Sequence, residues 1–229
     1  MHPENTMRAF AHAVELGYVY LETDVHLTRD GVLIAFHDDR LDRVTDASGR
    51  IEDLTWDEVR SARVNGTDPI PRFDELMTAF PDARVNIDPK ANRSIEALAA
   101  AIRHLGVHDR VCVTAFSRRR TRRVKALVGA DLCTGGGALA TVATLVGFGR
   151  RLFTRGVDAL QVPPRLGPVT IVTERFVERA HRWGLHVHVW TIDDPAEMER
   201  LLDLGVDGLM TDQPETLRQV FADRGLELG

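Results

Sequence analysis

The sequence predicts an α/β fold: a parallel sheet closed into a TIM (β/α)8-type barrel that lacks its first strand. Three observations carry this prediction. Short apolar or alternating strand patterns recur with helical patterns between them, the connections are short, and the repeats are numerous enough to favour closure over an open sheet. The 229 residues, 44% hydrophobic and 28% charged, suit one domain over 1–229 and exclude disorder, collagen and a membrane bundle.

The elements follow in order. Asn5 or Thr6 can cap a helix whose apolar Met7, Phe10 and Val14 share a face, and Gly17 ends it. Residues 18–28 alternate as a strand, Arg29-Asp30-Gly31 is turn chemistry, and 32–36 read as a second short strand. The pattern then breaks into polar loop as far as Pro71, with one short helix at 56–62; a helix follows at 73–80. Further strands are expected at 83–88, 110–115, 131–134, 159–162, 186–190 and 208–211. Helices are expected at 95–105, 118–128, 173–183, 195–204 and 214–222. With 32–36 set aside as part of an excursion, seven principal strands remain. An eight-stranded barrel needs one more, and a chain that opens on a helix is most economically missing the first.

Twenty-nine basic against 34 acidic residues leave a net charge of −5, so nothing points to nucleic acid as a partner. Two cysteines, Cys112 and Cys133, cannot staple a fold of this size; they suit a reducing, cytoplasmic setting and small buried packing roles. The apolar stretch 138–153 is too short for stable membrane insertion and reads either as a lid or as a helix buried against the barrel. Gly135-Gly136-Gly137 reads as a flexible turn rather than a phosphate cradle, and the arginine-rich run 117–125 as a solvated helix face.

Barrel chemistry sits at the carboxyl ends of the strands. Glu22, Asp24 and His26 share one face of their strand, opposite Leu21, Thr23, Val25 and Leu27. Two carboxylates in one mouth need a positive charge between them: either a hard divalent cation or a salt-bridging Arg or Lys. In Asn86-Ile87-Asp88-Pro89-Lys90, proline ends the strand near Asp88 and leaves Asp88 and Lys90 at the same mouth. A third carboxylate completes a metal set and the lysine suits an anionic substrate; alternatively, Lys90 simply pairs Asp88. His37, beside Asp38, is either a proton-transfer group or structural. His186 and His188, in register with Trp190, read as barrel filling beneath a mouth residue.

These segments together resemble the glycerophosphodiester phosphodiesterase family. The pattern appears as Pro3-Glu4-Asn5-Thr6, Glu22-Thr23-Asp24-Val25, His37-Asp38, Asn86-Ile87-Asp88-Pro89-Lys90, Trp190-Thr191-Ile192-Asp193 and Thr211-Asp212-Gln213-Pro214, in that order. The resemblance implies a phospholipase C-like barrel that hydrolyses small-molecule glycerophosphodiesters to glycerol 3-phosphate and an alcohol, with Ca2+ or Mg2+. Carried over by position, Glu22, Asp24 and Asp88 become metal ligands, His37 a catalytic histidine, Lys90 a phosphate contact and Trp190 a wall of the substrate pocket; Phe116, just past the end of its strand, either touches substrate or merely packs. Residues 32–71 match the family's insertion.

Two departures matter. Asp88 stands where the family usually has glutamate. The family's His-Arg-Gly before Pro-Glu-Asn-Thr is absent, since His2 abuts Pro3. The expectation is therefore a start at an internal methionine and little turnover from this polypeptide. A barrel acting on (lyso)phospholipids and a non-catalytic phosphodiester-binding barrel are the alternatives.

Overall fold

The computed structural model describes residues 2–228, which form two compact units. One comprises residues 2–113 with 122–132, the other 114–121 with 133–228.

In the first unit, α1 (Met7–Glu15) is capped by Thr6, whose Oγ1 accepts the Ala9 N–H at 3.2 Å; Gly17, at φ 101°, turns the chain. Next, β1 (Tyr20–Leu27) folds back antiparallel onto β2 (Leu33–Ala35). The turn between them is held by Thr28 Oγ1 donating to Asp30 Oδ1 at 2.7 Å, with Gly31 in the left-handed region. The excursion that follows holds a 3-10 turn at Ile51–Asp53, α2 (Trp56–Val59) and a two-stranded pair, β3 (Arg63–Val64) with β4 (Asp68–Pro69).

This segment corrects an expectation. In place of a polar loop it carries its own apolar cluster, Phe36, Leu41, Ile51, Val59 and Ile70 packed with Ile34. Its buried residues are scattered singly, so no helical or strand period advertises them.

After α3 (Phe73–Ala79), β5 (Arg84–Pro89) runs parallel to β1. Then α4 (Ser94–Leu105) ends at Gly106, φ 68°, and β6 (Val111–Val113) runs parallel to β5. Leu21 and Val25 of β1 and Val85 and Ile87 of β5 bury against Leu98 and Ile102 of α4. That burial fixes the strand faces: with the odd-numbered residues on the helix side, Glu22, Asp24, Asn86 and Asp88 must point the other way. Val124 of α5 (Arg118–Val128) joins the same core.

In the second unit, four parallel strands pair in the order β7 (Cys133–Gly136), β8 (Ala159–Val162), β11 (His186–Val189) and β12 (Gly208–Leu209). Between β7 and β8 lie α6 (Ala138–Val146) and α7 (Arg150–Phe153). A small hairpin, β9 (Arg165–Leu166) with β10 (Val169–Thr170), precedes α8 (Glu174–Arg182). The chain closes with α9 (Pro195–Asp203), capped by Asp194 with Pro195 in its first turn, and α10 (Pro214–Asp223).

The seven principal strands of the sequence reading are all present. Three smaller expectations change. Gly135 and Gly136 belong to β7 itself, and the three consecutive glycines are buried rather than a flexible turn. A Cβ on Gly135 would stand 2.5 Å from Thr114 Cγ2, and one on Gly137 2.7 Å from the Phe116 carbonyl oxygen, so close backbone approach demands glycine there. Cys112 and Cys133 are half-buried, not core residues. The 138–153 stretch is not a buried helix, because its large apolar side chains face outward.

Candidate active site

Parallel pairing of β1 and β5 sets Asp24 opposite Asp88 and Glu22 opposite Asn86, on the face away from the core. Lys90 comes back between the upper pair. Its Nζ lies 2.6 Å from Asp24 Oδ1 and 3.2 Å from Asp88 Oδ2. Asp24 is buried and Lys90 half-buried, so these charges meet in a partly desolvated setting. Burial alone would lower the Lys90 pKa; the attraction and hydrogen bonding of Asp24 and Asp88 outweigh it, and the pKa is raised. Lys90 is thus a fixed cation at neutral pH. The ammonium bridges both acids, so the salt-bridging lysine held as the alternative to a cation at the β1 carboxylates is present along with the pairing to Asp88.

Asn5 holds the other side of Asp24. Its Oδ1 accepts from Thr23 Oγ1 at 2.6 Å and from the Asp24 N–H at 3.3 Å, while its Nδ2 donates to Asp24 Oδ2 at 3.3 Å. The sequence reading considered Asn5 only as a helix cap and as part of a motif; Thr6 takes the cap. The available signal was the Pro-Glu-Asn-Thr run.

His37 follows β2, at the end of the hairpin. Its Nδ1 is 2.7 Å from Asp38 Oδ1. Asp38 is bound in turn by Arg43, Nε to Oδ2 at 2.5 Å, and Arg43 also pairs with Glu4 of the Pro-Glu-Asn-Thr run. The Arg43 hydrogen bonds lead the causes that bring the Asp38 pKa down to about 2, against burial. A permanently ionised Asp38 can only accept, so the His37 Nδ1 carries the hydrogen and its Nε2 is left as the base. On β1, buried His26 brings its Nε2 to 3.1 Å from the His37 carbonyl oxygen; burial lowers the His26 pKa, keeping the ring neutral. Neutral imidazole with Nε2 protonated is the form that donates to that carbonyl. Neither Arg43 nor His26 figured as a site residue in the sequence reading.

Glu22 is exposed, one strand step from the Asp24–Asp88 pair. Among the described residues no three His, Cys, Asp or Glu side chains close on one point as a metal shell. The donor chemistry nevertheless fits a hard divalent cation: three carboxylates and the Asn86 amide share one face of two register-paired strands, all oxygen donors.

In the second unit, Phe116 and Trp190 meet edge to face, ring centroids 6.0 Å apart at 88°. His188 is half-buried beside Gln161, its pKa lowered first by burial, as a filling residue requires. Asp193 of the Trp-Thr-Ile-Asp run accepts from Thr211 Oγ1 and the Asp212 N–H, fastening the last two strand-end loops to each other.

Comparison with known proteins gives the family and the fold. Residues 1–216 match the profile of the Glycerophosphoryl diester phosphodiesterase family. A probable glycerophosphodiester phosphodiesterase 2 of Mycobacterium tuberculosis is 41% identical over 229 aligned residues, 97% of this chain and 87% of the relative. A glycerophosphoryl diester phosphodiesterase structure from Silicibacter pomeroyi superposes with a TM-score of 0.82 at 22% identity, covering 99% of this chain and 91% of that one. An Oleispira antarctica phosphodiesterase, solved with the product sn-glycerol-3-phosphate, superposes with a TM-score of 0.79 at 20% identity, covering 96% and 92%. The α/β barrel architecture read from the sequence is that of these enzymes, and this chain belongs to the glycerophosphoryl diester phosphodiesterase family.

Proposed function

We propose that the chain hydrolyses glycerophosphodiesters to glycerol 3-phosphate and an alcohol with a divalent cation held by Glu22, Asp24 and Asp88. One observation carries the reading: Glu22, Asp24, Asn86 and Asp88, all oxygen donors, share one face of the register-paired strands β1 and β5, with the Lys90 ammonium beside them.

When bound, the cation neutralises charge on the phosphoryl oxygens. Lys90 attracts the phosphodiester anion and orients it over the two aspartates. His37, held by Asp38 at Nδ1, accepts a proton at Nε2 from the attacking oxygen. Glu4, Arg43 and Asp38 keep that ring turned, and the family resemblance assigns Trp190 to the substrate. Protonation of the leaving alcohol needs a second acid group. Asp88, one methylene shorter than glutamate, favours Ca2+, whose coordination is more adaptable than that of Mg2+.

The test is release of glycerol 3-phosphate from glycerophosphocholine by this polypeptide, with Ca2+, Mg2+ or a chelator. Turnover that is highest with Ca2+ and abolished by chelation supports the reading; turnover indifferent to chelation overturns it. Exposed Phe116 favours lysophospholipids as a second substrate class, and replacing glycerophosphocholine with a lysophospholipid in the same assay decides between them.

A further inference from the structure

Helix α6 is inside out. Its small residues Ala140, Ala143 and Thr144 are buried, while Leu139, Val142 and Val146 are 57%, 53% and 64% exposed. Spacings of three and four put those three on one face. The crest continues past the helix in Phe148, 79% exposed, and Leu152, 66% exposed. An ordinary surface helix buries its large apolar residues, and a contiguous apolar face left outward marks an interaction site.

The crest is fixed in place. Arg179 Nη1 donates to the carbonyls of Thr144 and Leu145 at 2.5 and 2.6 Å, and Arg150 donates to the Trp183 carbonyl at 3.1 Å. Arg118 Nη2 reaches the Leu152 carbonyl at 2.8 Å, which brings the start of the arginine run alongside.

Charge selects the partner. No acidic residue occurs from 132 to 157, whereas Arg150, Arg151 and Arg155 lie in that stretch and Arg119 stands exposed beside Arg118, in a chain of net charge −5. Apolar side chains rimmed by arginine suit the interface of an anionic bilayer, where the former enter the acyl boundary and the latter meet lipid phosphates. A symmetric contact with a second copy would set these arginines against their own kind. Among the described residues no helix is long and apolar enough to cross a membrane.

We propose that the face formed by α6, α7 and the 148–155 segment docks this protein onto anionic lipid membranes. The inference goes beyond the hydrolytic reading and is tested without turnover. The chain is sedimented with phosphatidylcholine vesicles, with and without about one-third phosphatidylglycerol. Partition onto the anionic vesicles is expected to be at least about tenfold stronger and to fall with added salt. The exposed double variants Val142→Ser/Phe148→Ser and Arg151→Glu/Arg155→Glu should each weaken it about tenfold or more, with circular dichroism confirming the fold. Failure of the wild-type chain to bind, or binding unmoved by both variants, overturns the proposal. So does concentration-dependent dimerisation, seen by sedimentation velocity, that Phe148→Ser abolishes, since the face would then belong to a second copy.

Discussion

At Asn5 the backbone φ of 52° lies in the left-handed region, which asparagine enters at lower cost than most residues, and its side chain makes three hydrogen bonds around Asp24. Asn5→Gly keeps that backbone and removes the bonds. Divalent-cation affinity should fall by about three- to tenfold while the fold persists, a loss on the scale of one or two hydrogen bonds. Asp38→Asn tests the histidine next door. An amide can donate as well as accept, so the tautomer of His37 is no longer dictated; 15N shifts should show Nδ1–H in the wild type and a mixture in the variant. Acid supplies a third test. Asp38 has a folded pKa of about 2, below the ordinary carboxylate value, so its pairing with Arg43 stabilises the fold above about pH 4 and is lost as pH falls towards 2. After discounting for the half-exposed Arg43, the loss is about 1 kcal/mol. Buried His26 adds to it from higher pH: its lowered pKa stabilises the fold above about 6.5 and the contribution declines below that. The protection factors of amides 36–38, which correct for the intrinsic slowing of exchange in acid, should therefore fall on acidification before those of the core amides.

Among the elements, β7 shows how a local rule misleads. Glycine disfavours strands, so three in a row read as a turn, yet tertiary contact reverses that preference. Gly135→Ala drives a methyl to 2.5 Å from Thr114 Cγ2 and should cost about 1–3 kcal/mol in thermal unfolding. Residues 39–71 read as polar loop for a different reason. Leu41, Ile51, Val59 and Ile70 are fully buried but separated by irregular spacings, and periodicity has nothing to detect in them. The regular repeats were legible, because Leu21 and Val25, or Leu98 and Ile102, recur at the period of the element they build. Leu98→Ala, at a fully buried position of α4, should destabilise the first unit by about 2–5 kcal/mol.

Across the whole molecule, the site divides in the same way. Asp24, Asp88 and Lys90 could be placed together from sequence because strand parity and the proline after Asp88 fix their faces and ends. The bridge from Arg43 to Glu4, 39 residues away, and the approach of His26 to the His37 carbonyl depend on how the excursion folds back, which no spacing encodes. The central claim is that the carboxylates on the shared face of β1 and β5 bind a divalent cation, and calorimetric titration with Ca2+ tests it most directly. The wild-type chain should bind one ion, and Asp24→Asn, nearly isosteric and with Asn5 still beside it, should weaken binding by at least about tenfold, as expected for losing a charged ligand. Equal affinity in the two proteins, or no binding by the wild type, would contradict the account and leave Lys90 as the positive charge that balances the two aspartates.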